Sequence, residues 1–145
     1  MKFKPLFYLI VMTLSTVPQA NSTTEKQLPS CPNSPNCVSS QATDADHFIA
    51  PFKITANVEQ TWAALKKALV SQSRTAITNE TADTLHAQAT SLVFRFVDDI
   101  DVMLAADAKL IHIRSASRTG YRDFGVNRKR VEMLRAQLQQ AQVIE

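Results

Sequence analysis

Acidic and basic side chains concentrate in one stretch of the sequence, between Asp98 and Arg130. Three carboxylates lie within four residues, at Asp98, Asp99 and Asp101. Between Arg114 and Arg130 come six basic residues and one further acid, Asp123; the basic residues are Arg114, Arg118, Arg122, Arg128, Lys129 and Arg130. Guanidinium groups bind carboxylates and phosphates through paired hydrogen bonds. The stretch therefore predicts either a site for an anionic ligand or a set of internal ion pairs.

An anion site would draw on hydroxyls and backbone as well as on guanidinium groups. Both glycines of the chain, Gly120 and Gly125, fall in this stretch, and glycine allows positive φ and close backbone approach. The stretch leads into a predicted helix whose first turn is basic, which opposes the helix dipole and calls for a compensating partner. That partner is a bound anion or, in the alternative, one of the aspartates. The candidate ligand-binding residues are Arg114, Ser115, Ser117, Arg118, Arg128 and Arg130.

Strand alternation predicts where these charges meet. Asp99 and Asp101 would share the polar face of one strand, because apolar residues alternate with them. His112 and Arg114 would share the polar face of the next strand for the same reason. Two registers match the apolar faces, and they place Asp101 opposite either His112 or Arg114. The candidate ion-pair partners are thus Asp98, Asp99, Asp101 and His112, and a solvated cross-strand ladder is the simplest alternative.

Catalysis and metal binding are weaker hypotheses. Ser117, or its neighbour Ser115, could form a hydrolase or transferase triad with His112 and Asp101, but no nucleophile elbow or oxyanion motif accompanies them. The histidines His86 and His112 and the aspartates lack the close ligand spacing of a metal site. The acidic triplet also lacks the glycine and distal glutamate of a calcium loop. We expect no metal and no cofactor.

Residues 1–22 have the composition of a signal peptide. Lys2 and Lys4 precede a charge-free apolar run over residues 6–14, and small or turn-forming residues follow. The run is short for a transmembrane span, which needs about 20 residues. Cleavage near residues 20–22 would export the chain to the periplasm or cell envelope, and an uncleaved anchor is the alternative.

The composition indicates one globular domain. The chain has 145 residues, of which 45% are hydrophobic and 20% charged, which excludes a disordered or multi-pass membrane protein. Loss of the two leader lysines would lower the formal net charge from +3 to +1. So small a charge predicts no nucleic-acid partner and at most a peripheral membrane contact. The expected partners are an anionic small molecule or another envelope protein.

In an exported chain, two cysteines predict one disulfide. Cys31 and Cys37 bracket a loop rich in proline and asparagine, within an arm over residues 23–46. A metal site is one alternative, although two thiols are too few ligands. Lipidation of Cys31 is another, because the preceding residues faintly resemble a lipobox.

Hydrophobic periodicity predicts a single domain over residues 47–145 with the order strand, helix, strands, helix. Pro51 would confine the first strand, residues 47–56, to a sheet edge. Asn57 would cap a helix ending near Ser71. Further strands are predicted at residues 76–79, 84–89, 91–97, 99–104 and 109–117, and a second helix over residues 127–141. The pattern favours an α+β fold, an antiparallel sheet of about five strands packed on one face by two helices.

Three motifs resemble those of the family known as domain of unknown function 1499. They are Cys31-Pro-x-Ser-Pro-Asn-Cys37, Phe96-Val-Asp-Asp-Ile-Asp101 and Arg114-Ser-Ala-Ser-Arg-x-Gly-Tyr-x-Asp-x-Gly-Val-Asn-Arg-x-Arg-Val-Glu132. The resemblance runs from Cys31 to Leu138. It implies a small domain common in bacteria and chloroplast-bearing organisms, and it implies no activity. Arg122 stands where family members often have serine, which adds charge.

Three function hypotheses follow. The first is an exported, non-enzymatic binding module whose Arg/Ser/Asp face takes an anionic small molecule, a lipid headgroup or a partner protein. The second is a hydrolase or transferase using Ser117, His112 and Asp101. The third is a structural interaction module of the envelope. An open concavity at the polar face would favour the first hypothesis, and a filled layer of salt bridges the third.

Overall fold

The structure is a computed structural model that describes residues 26–145. The predicted leader, residues 1–22, and the start of the predicted arm lie outside the described part of the chain. The elements are β1 (Cys37–Ser39), β2 (Phe52–Lys53), α1 (Val58–Ser71), β3 (Thr75–Glu80), β4 (Thr84–Thr90), β5 (Val97–Ala105), β6 (Leu110–Ser117) and α2 (Val126–Gln140). Within residues 26–145, no helix is both long and apolar enough to cross a membrane.

Both helices follow the predicted hydrophobic period. The Asn57 side chain caps α1 by accepting the backbone N–H of Gln60 at 3.0 Å. The buried positions of the helices are Thr61, Trp62, Leu65, Ala68 and Leu69 in α1, and Asn127, Val131, Leu134 and Leu138 in α2. Two of these positions, Thr61 and Asn127, are polar.

Six strands form one antiparallel sheet in the order β1-β6-β5-β4-β3, with β2 also paired to β6. The register of β5 and β6 places Asp98 opposite Ser117 and Asp101 opposite Arg114, which is one of the two registers that the apolar pattern allows. Residues alternate between the apolar face of the sheet and its other face, here called the open face.

The helices pack together on the apolar face and enclose the core. Phe52, Leu65, Ile100, Ile113 and Leu134 are fully buried there. Burial of a side chain of this size stabilises the fold by about 2 kcal/mol relative to exposure. The predicted α+β class, with an antiparallel sheet and two helices, is confirmed.

The predicted strand at residues 91–97 is wrong except for Val97. Residues 91–96 form a loop, in which the backbone N–H of Ser91 donates to the carbonyl of Phe96 at 2.8 Å. Arg95 has a φ of 56°, outside the strand region. The composition favours a strand, but β3 begins opposite Ala89 and β6 ends opposite Asp98, so neither strand lies beside this segment.

Two segments near the N-terminus also differ from prediction. Cys37–Ser39 belongs to the predicted arm, yet it forms the edge strand β1 against β6. The predicted strand over residues 47–56 is reduced to β2, with isolated bridges at Phe48 and Ile54. Pro51 has no N–H to donate and interrupts the ladder. Pairing with β6 is a tertiary effect that local composition does not report, and it gives the sheet six strands.

Candidate functional site

The register divides the predicted Arg/Ser/Asp cluster between the two faces of the sheet. Asp99, Asp101 and Arg114 lie on the open face, because their neighbours Ile100, Val102 and Ile113 face the core. By the same alternation, the apolar face carries Asp98, Ser115 and Ser117. The residues that the sequence groups into one polar face therefore form two networks, with the sheet between them.

The open-face network runs across three strands. Arg114 Nη1 donates to Asp101 Oδ2 at 3.0 Å, and His86 Nδ1 lies 2.7 Å from Asp101 Oδ1. His86 Nε2 is 3.2 Å from Asp99 Oδ1, so this ring joins both carboxylates. Arg118 donates to both carboxylate oxygens of Asp99, from Nε to Oδ2 and from Nη2 to Oδ1, each at 2.8 Å. The result is a continuous chain of polar side chains, from Arg114 through Asp101, His86 and Asp99 to the half-exposed Arg118.

The Arg118 hydrogen bonds hold the pKa of Asp99 below its ordinary value, against the opposing effect of partial burial. The Asp99 carboxylate therefore stays ionised at neutral pH and keeps the guanidinium occupied.

A second network lies under α2 and is more buried. Arg130 Nη2 donates to Asp98 Oδ2 at 2.6 Å, and both side chains are nearly 90% buried. Arg130 Nη1 donates to Ser115 Oγ at 2.9 Å and to Asn127 Oδ1 at 2.7 Å. Asp98 thereby compensates one of the basic residues of the first helical turns, as the internal-pairing alternative requires.

Asn127 is the centre of this second network. Its side chain is fully buried. Asn127 Nδ2 lies within donating distance of the Asn36 carbonyl (3.1 Å), Ser117 Oγ (2.9 Å) and Asp123 Oδ2 (2.8 Å). Asn127 Oδ1 accepts from Ser115 Oγ at 2.6 Å. A buried amide satisfied on all sides joins the disulfide loop, β6 and α2 in one arrangement.

Asp123 supplies negative charge at the start of α2. Its carboxylate accepts the backbone N–H groups of Gly125 and Asn127, both at 2.9 Å. Burial alone would raise the pKa of Asp123, but these hydrogen bonds outweigh it and hold the pKa below its usual value. Gly120 and Gly125 have φ values of 84° and 77°, which side chains rarely tolerate.

Every residue predicted to bind a ligand also has a contact inside the protein. Arg128 donates to the carbonyl oxygens of Phe48 and Asp46, each at 2.9 Å. The others are engaged in the two networks, as are Asp98, Asp99 and Asp101. The role of Arg114, Ser115, Ser117, Arg118, Arg128 and Arg130 toward a ligand stays a prediction.

The structure does not bring the predicted triad together. Ser117 lies on the apolar face and contacts Asn127, whereas Asp101 lies on the open face. His112 is also on the open face, where its Nδ1 is 3.1 Å from Ser40 Oγ. Since a hydrolase triad needs its serine within hydrogen-bond reach of its histidine, these three residues do not form one.

A cleft of about 370 Å³ opens beside the second network, where β3 begins, β4 ends and α2 passes over the sheet. Three cations line it, namely Arg74, Lys129 and Arg130, against the single carboxylate of Asp98. Because Asp98 is paired with Arg130, no carboxylate among residues 26–145 pairs with Arg74 or Lys129, and their positive charge is left uncompensated there.

The remaining walls of the cleft combine hydroxyl and apolar groups. Arg74 is held by a hydrogen bond from its Nε to the Thr90 carbonyl at 2.9 Å, while the Lys129 ammonium has no partner within residues 26–145. Leu92, Val126 and Met133 supply exposed apolar surface beside these cations. The cleft thus offers positive charge next to an apolar wall.

A metal site needs a group of side chains that can bind the ion together. Within residues 26–145, no three histidine, cysteine or carboxylate side chains converge as a metal ion would need.

Comparison with protein families gives one result. A family model described as "Protein of unknown function (DUF1499)" matches residues 27–138, well over half of the chain. The chain belongs to the DUF1499 family. No curated protein matches it. The match contains all six strands, α1 and most of α2, and therefore both networks of this DUF1499 chain.

Some features of the site had usable signals in the sequence and others had none. Asn127 lies four residues before Val131 on the apolar stripe of α2, and a polar residue on such a stripe indicates a buried hydrogen-bond centre. His86 alternates with buried Leu85 and Ala87, which places it on the open face. The cleft could not be found in this way, because Arg74 and Lys129 meet only through the packing of α2 on the sheet.

Proposed function

We propose that the protein is an exported, non-enzymatic binding module that takes an anionic ligand with an apolar part in the cleft between α2 and the β3–β4 end of the sheet. The observation that carries this proposal is the pair of uncompensated cations, Arg74 and Lys129, beside the apolar wall of Leu92, Val126 and Met133. Export is supported by the leader composition and by the disulfide, a bond that persists in oxidising compartments.

The charges around the cleft favour an anion over a neutral ligand. Arg130 is already paired with Asp98, so the unpaired positive charge of the cleft is that of Arg74 and Lys129. Ser73 and Ser91 also line the cleft, and their hydroxyl groups can donate to an anionic oxygen. A phosphate monoester carrying a short hydrocarbon chain has both parts that this surface would recognise.

Thermal unfolding with hexyl phosphate, inorganic phosphate and sodium chloride at equal ionic strength tests the proposal. A ligand that binds only the folded state raises the melting temperature. We expect hexyl phosphate to raise it most, inorganic phosphate less, and chloride not beyond a general salt effect. Arg74→Gln and Lys129→Gln should each weaken binding of hexyl phosphate about fivefold, the loss of one charged contact of about 1 kcal/mol.

Lys109→Gln is the matched control, because Lys109 is an exposed lysine in the β5–β6 turn at the opposite end of the sheet. It should bind hexyl phosphate like the unchanged protein. A melting temperature indifferent to the identity of the anion would overturn the proposal and favour a structural interaction module.

A further inference from the structure

Exposed apolar side chains gather at one end of the molecule. Among residues 26–145, ten large hydrophobic side chains are exposed. Eight of them belong to the loop after β4, the loop after β6 or the first turns of α2; they are Leu92, Val93, Phe94, Phe96, Tyr121, Phe124, Val126 and Met133. Monomeric soluble proteins rarely collect so much apolar surface without a use for it.

The topology brings the two loops together. Residues 91–96 join β4 to β5, and residues 118–125 join β6 to α2. The backbone N–H of Arg118 donates to the carbonyl of Val97 at 3.0 Å, so the bases of the two loops are adjacent. The antiparallel register, which pairs Asp98 with Ser117, points both loops away from the same sheet end. We call this surface the loop end.

Hydrogen bonds within the loops hold the apolar side chains outward. Ser91 Oγ accepts the backbone N–H of Phe96 at 2.9 Å, and the rings of Phe94 and Phe96 stack with centroids 5.4 Å apart. Phe124 is 96% exposed, although the Asp123 carboxylate fixes the turn around it. Phe124 also has a φ of 55°, a strained conformation for an aromatic residue.

Positive charge surrounds these apolar tips. Arg74, Arg95, Arg122 and Lys129 form no ion pair within residues 26–145. Three carboxylates at this end are engaged internally, Asp98 by Arg130, Asp99 by Arg118 and Asp123 by backbone N–H groups. A fourth, the exposed Asp46, lines a pocket with Tyr121 and forms no salt bridge within residues 26–145. The loop end therefore presents aromatic and aliphatic groups together with four cations that lack ion pairs, against one exposed carboxylate, Asp46.

We infer that the loop end docks on an anionic lipid bilayer, with Phe94 and Phe124 inserted at the boundary between headgroups and acyl chains and with Arg95 and Arg122 among the headgroups. Aromatic rings beside arginines suit this boundary, since the rings bury while the guanidiniums stay with the phosphates. Each basic residue near an anionic membrane surface contributes about 1 kcal/mol. The contact would be peripheral.

The charge pattern distinguishes a bilayer from a second copy of this chain. Face-to-face association of two loop ends would bring the four cations of each copy together, and like charges repel. An anionic surface instead complements all four. This inference goes beyond the cleft proposal. The two share Arg74, Lys129 and the apolar wall of the cleft, but the test below uses Phe94, Phe124, Arg95 and Arg122, which do not line the cleft.

Sedimentation with phosphatidylcholine vesicles, with and without phosphatidylglycerol, tests the inference on the protein as purified from the cell that makes it. We expect binding to the phosphatidylglycerol vesicles that weakens with added salt. The double variant Phe94→Ser/Phe124→Ser should bind at least about tenfold more weakly, because two apolar insertions are lost. Arg95→Gln/Arg122→Gln should lose about tenfold or more on phosphatidylglycerol vesicles only.

Two variants outside the two loops serve as controls. Phe48→Ser removes an exposed aromatic ring that belongs to neither loop, and Lys109→Gln removes a cation at the opposite end of the sheet; both should bind vesicles like the unchanged protein. The Phe94→Ser/Phe124→Ser variant should keep its stabilisation by hexyl phosphate, so the two proposals fail separately. Equal vesicle binding by the loop variants and the unchanged protein would overturn the inference. So would a concentration-dependent dimer that the loop variants abolish.

Discussion

At the scale of single residues, the two networks differ in how much water reaches them. The Arg130 and Asp98 side chains are 11% and 13% exposed, whereas Arg118, the partner of Asp99, is 45% exposed. Water screens an exposed ion pair, so the pair contributes little to the free energy of unfolding. A buried charge that loses its partner has no such compensation. Identical chemistry, an arginine on an aspartate, should therefore have different energetic weight on the two faces of the sheet.

We predict that Asp98→Asn destabilises the protein by about 3 kcal/mol, because Arg130 is left as an uncompensated, largely buried cation. Asp99→Asn, the matched change on the open face, should cost less than about 1 kcal/mol. Urea unfolding measures both free energies. Adding Arg130→Met to Asp98→Asn should recover part of the loss, since it removes the unpaired charge. Equal effects of Asp98→Asn and Asp99→Asn would show that burial does not separate the two pairs.

At the scale of elements, α2 begins with basic residues at the end of the helix where its dipole disfavours positive charge. Arg128 and Lys129 occupy its first turn, where the helix dipole disfavours cations. Asp123 offsets them by accepting two N–H groups at the start of the helix. Its carboxylate can reach these groups because Phe124 and Gly125 both adopt positive φ and fold the turn back.

We predict that Gly125→Ala destabilises the protein by about 1 kcal/mol. A Cβ at this position would meet nothing within 4 Å, so the cost comes from the left-handed backbone alone, with a φ of 77°. Gly125→Asn should cost less, because asparagine tolerates this conformation better than alanine. Thermal and urea unfolding measure both. If alanine and asparagine were equally costly, lost space rather than backbone strain would be the cause.

The elements also show how far the sequence predicts this molecule. Helical and strand periods are local, so α1, α2 and the strands β4, β5 and β6 could be predicted. Alternation limited the partner of Asp101 to His112 or Arg114, and the structure shows Arg114. The loop over residues 91–96 was missed because its apolar composition favours a strand. It lacks a strand partner because β3 begins opposite Ala89 and β6 ends opposite Asp98, which local composition does not show. β1 was missed because it has only three residues, lies in an arm rich in polar residues and proline, and forms only through pairing with β6. The cleft depends on contacts between distant segments and has no local signature.

At the scale of the whole molecule, the loop closed by the disulfide connects the N-terminal arm to the second network and to the loop end. Cys31 is bonded to Cys37, which leaves no Cys31 thiol for the lipidation considered from sequence, and Cys37 begins the edge strand β1. Asn36 lies inside the closed loop, and its carbonyl accepts hydrogen bonds from Asn127 Nδ2 and from the backbone N–H of Ser117. Its amide donates to the carbonyl of Gly120 at 2.7 Å, at the base of the loop end. One short loop therefore supports α2, β6 and the loop end together.

We predict that reduction of this disulfide lowers the free energy of unfolding by about 2 kcal/mol, because closing so small a loop restricts the unfolded chain by that amount. The melting temperature should fall by several degrees. The variant Cys31→Ser/Cys37→Ser should match the reduced protein and ignore added reductant, which separates the loss of the bond from side effects of the reducing agent. Because Asn36 supports Asn127, the reduced protein should also show faster amide hydrogen exchange at Ser117 and Asn127 than in β4. Unchanged stability and exchange on reduction would mean that the hydrogen bonds of Asn36 hold the arm without the covalent link.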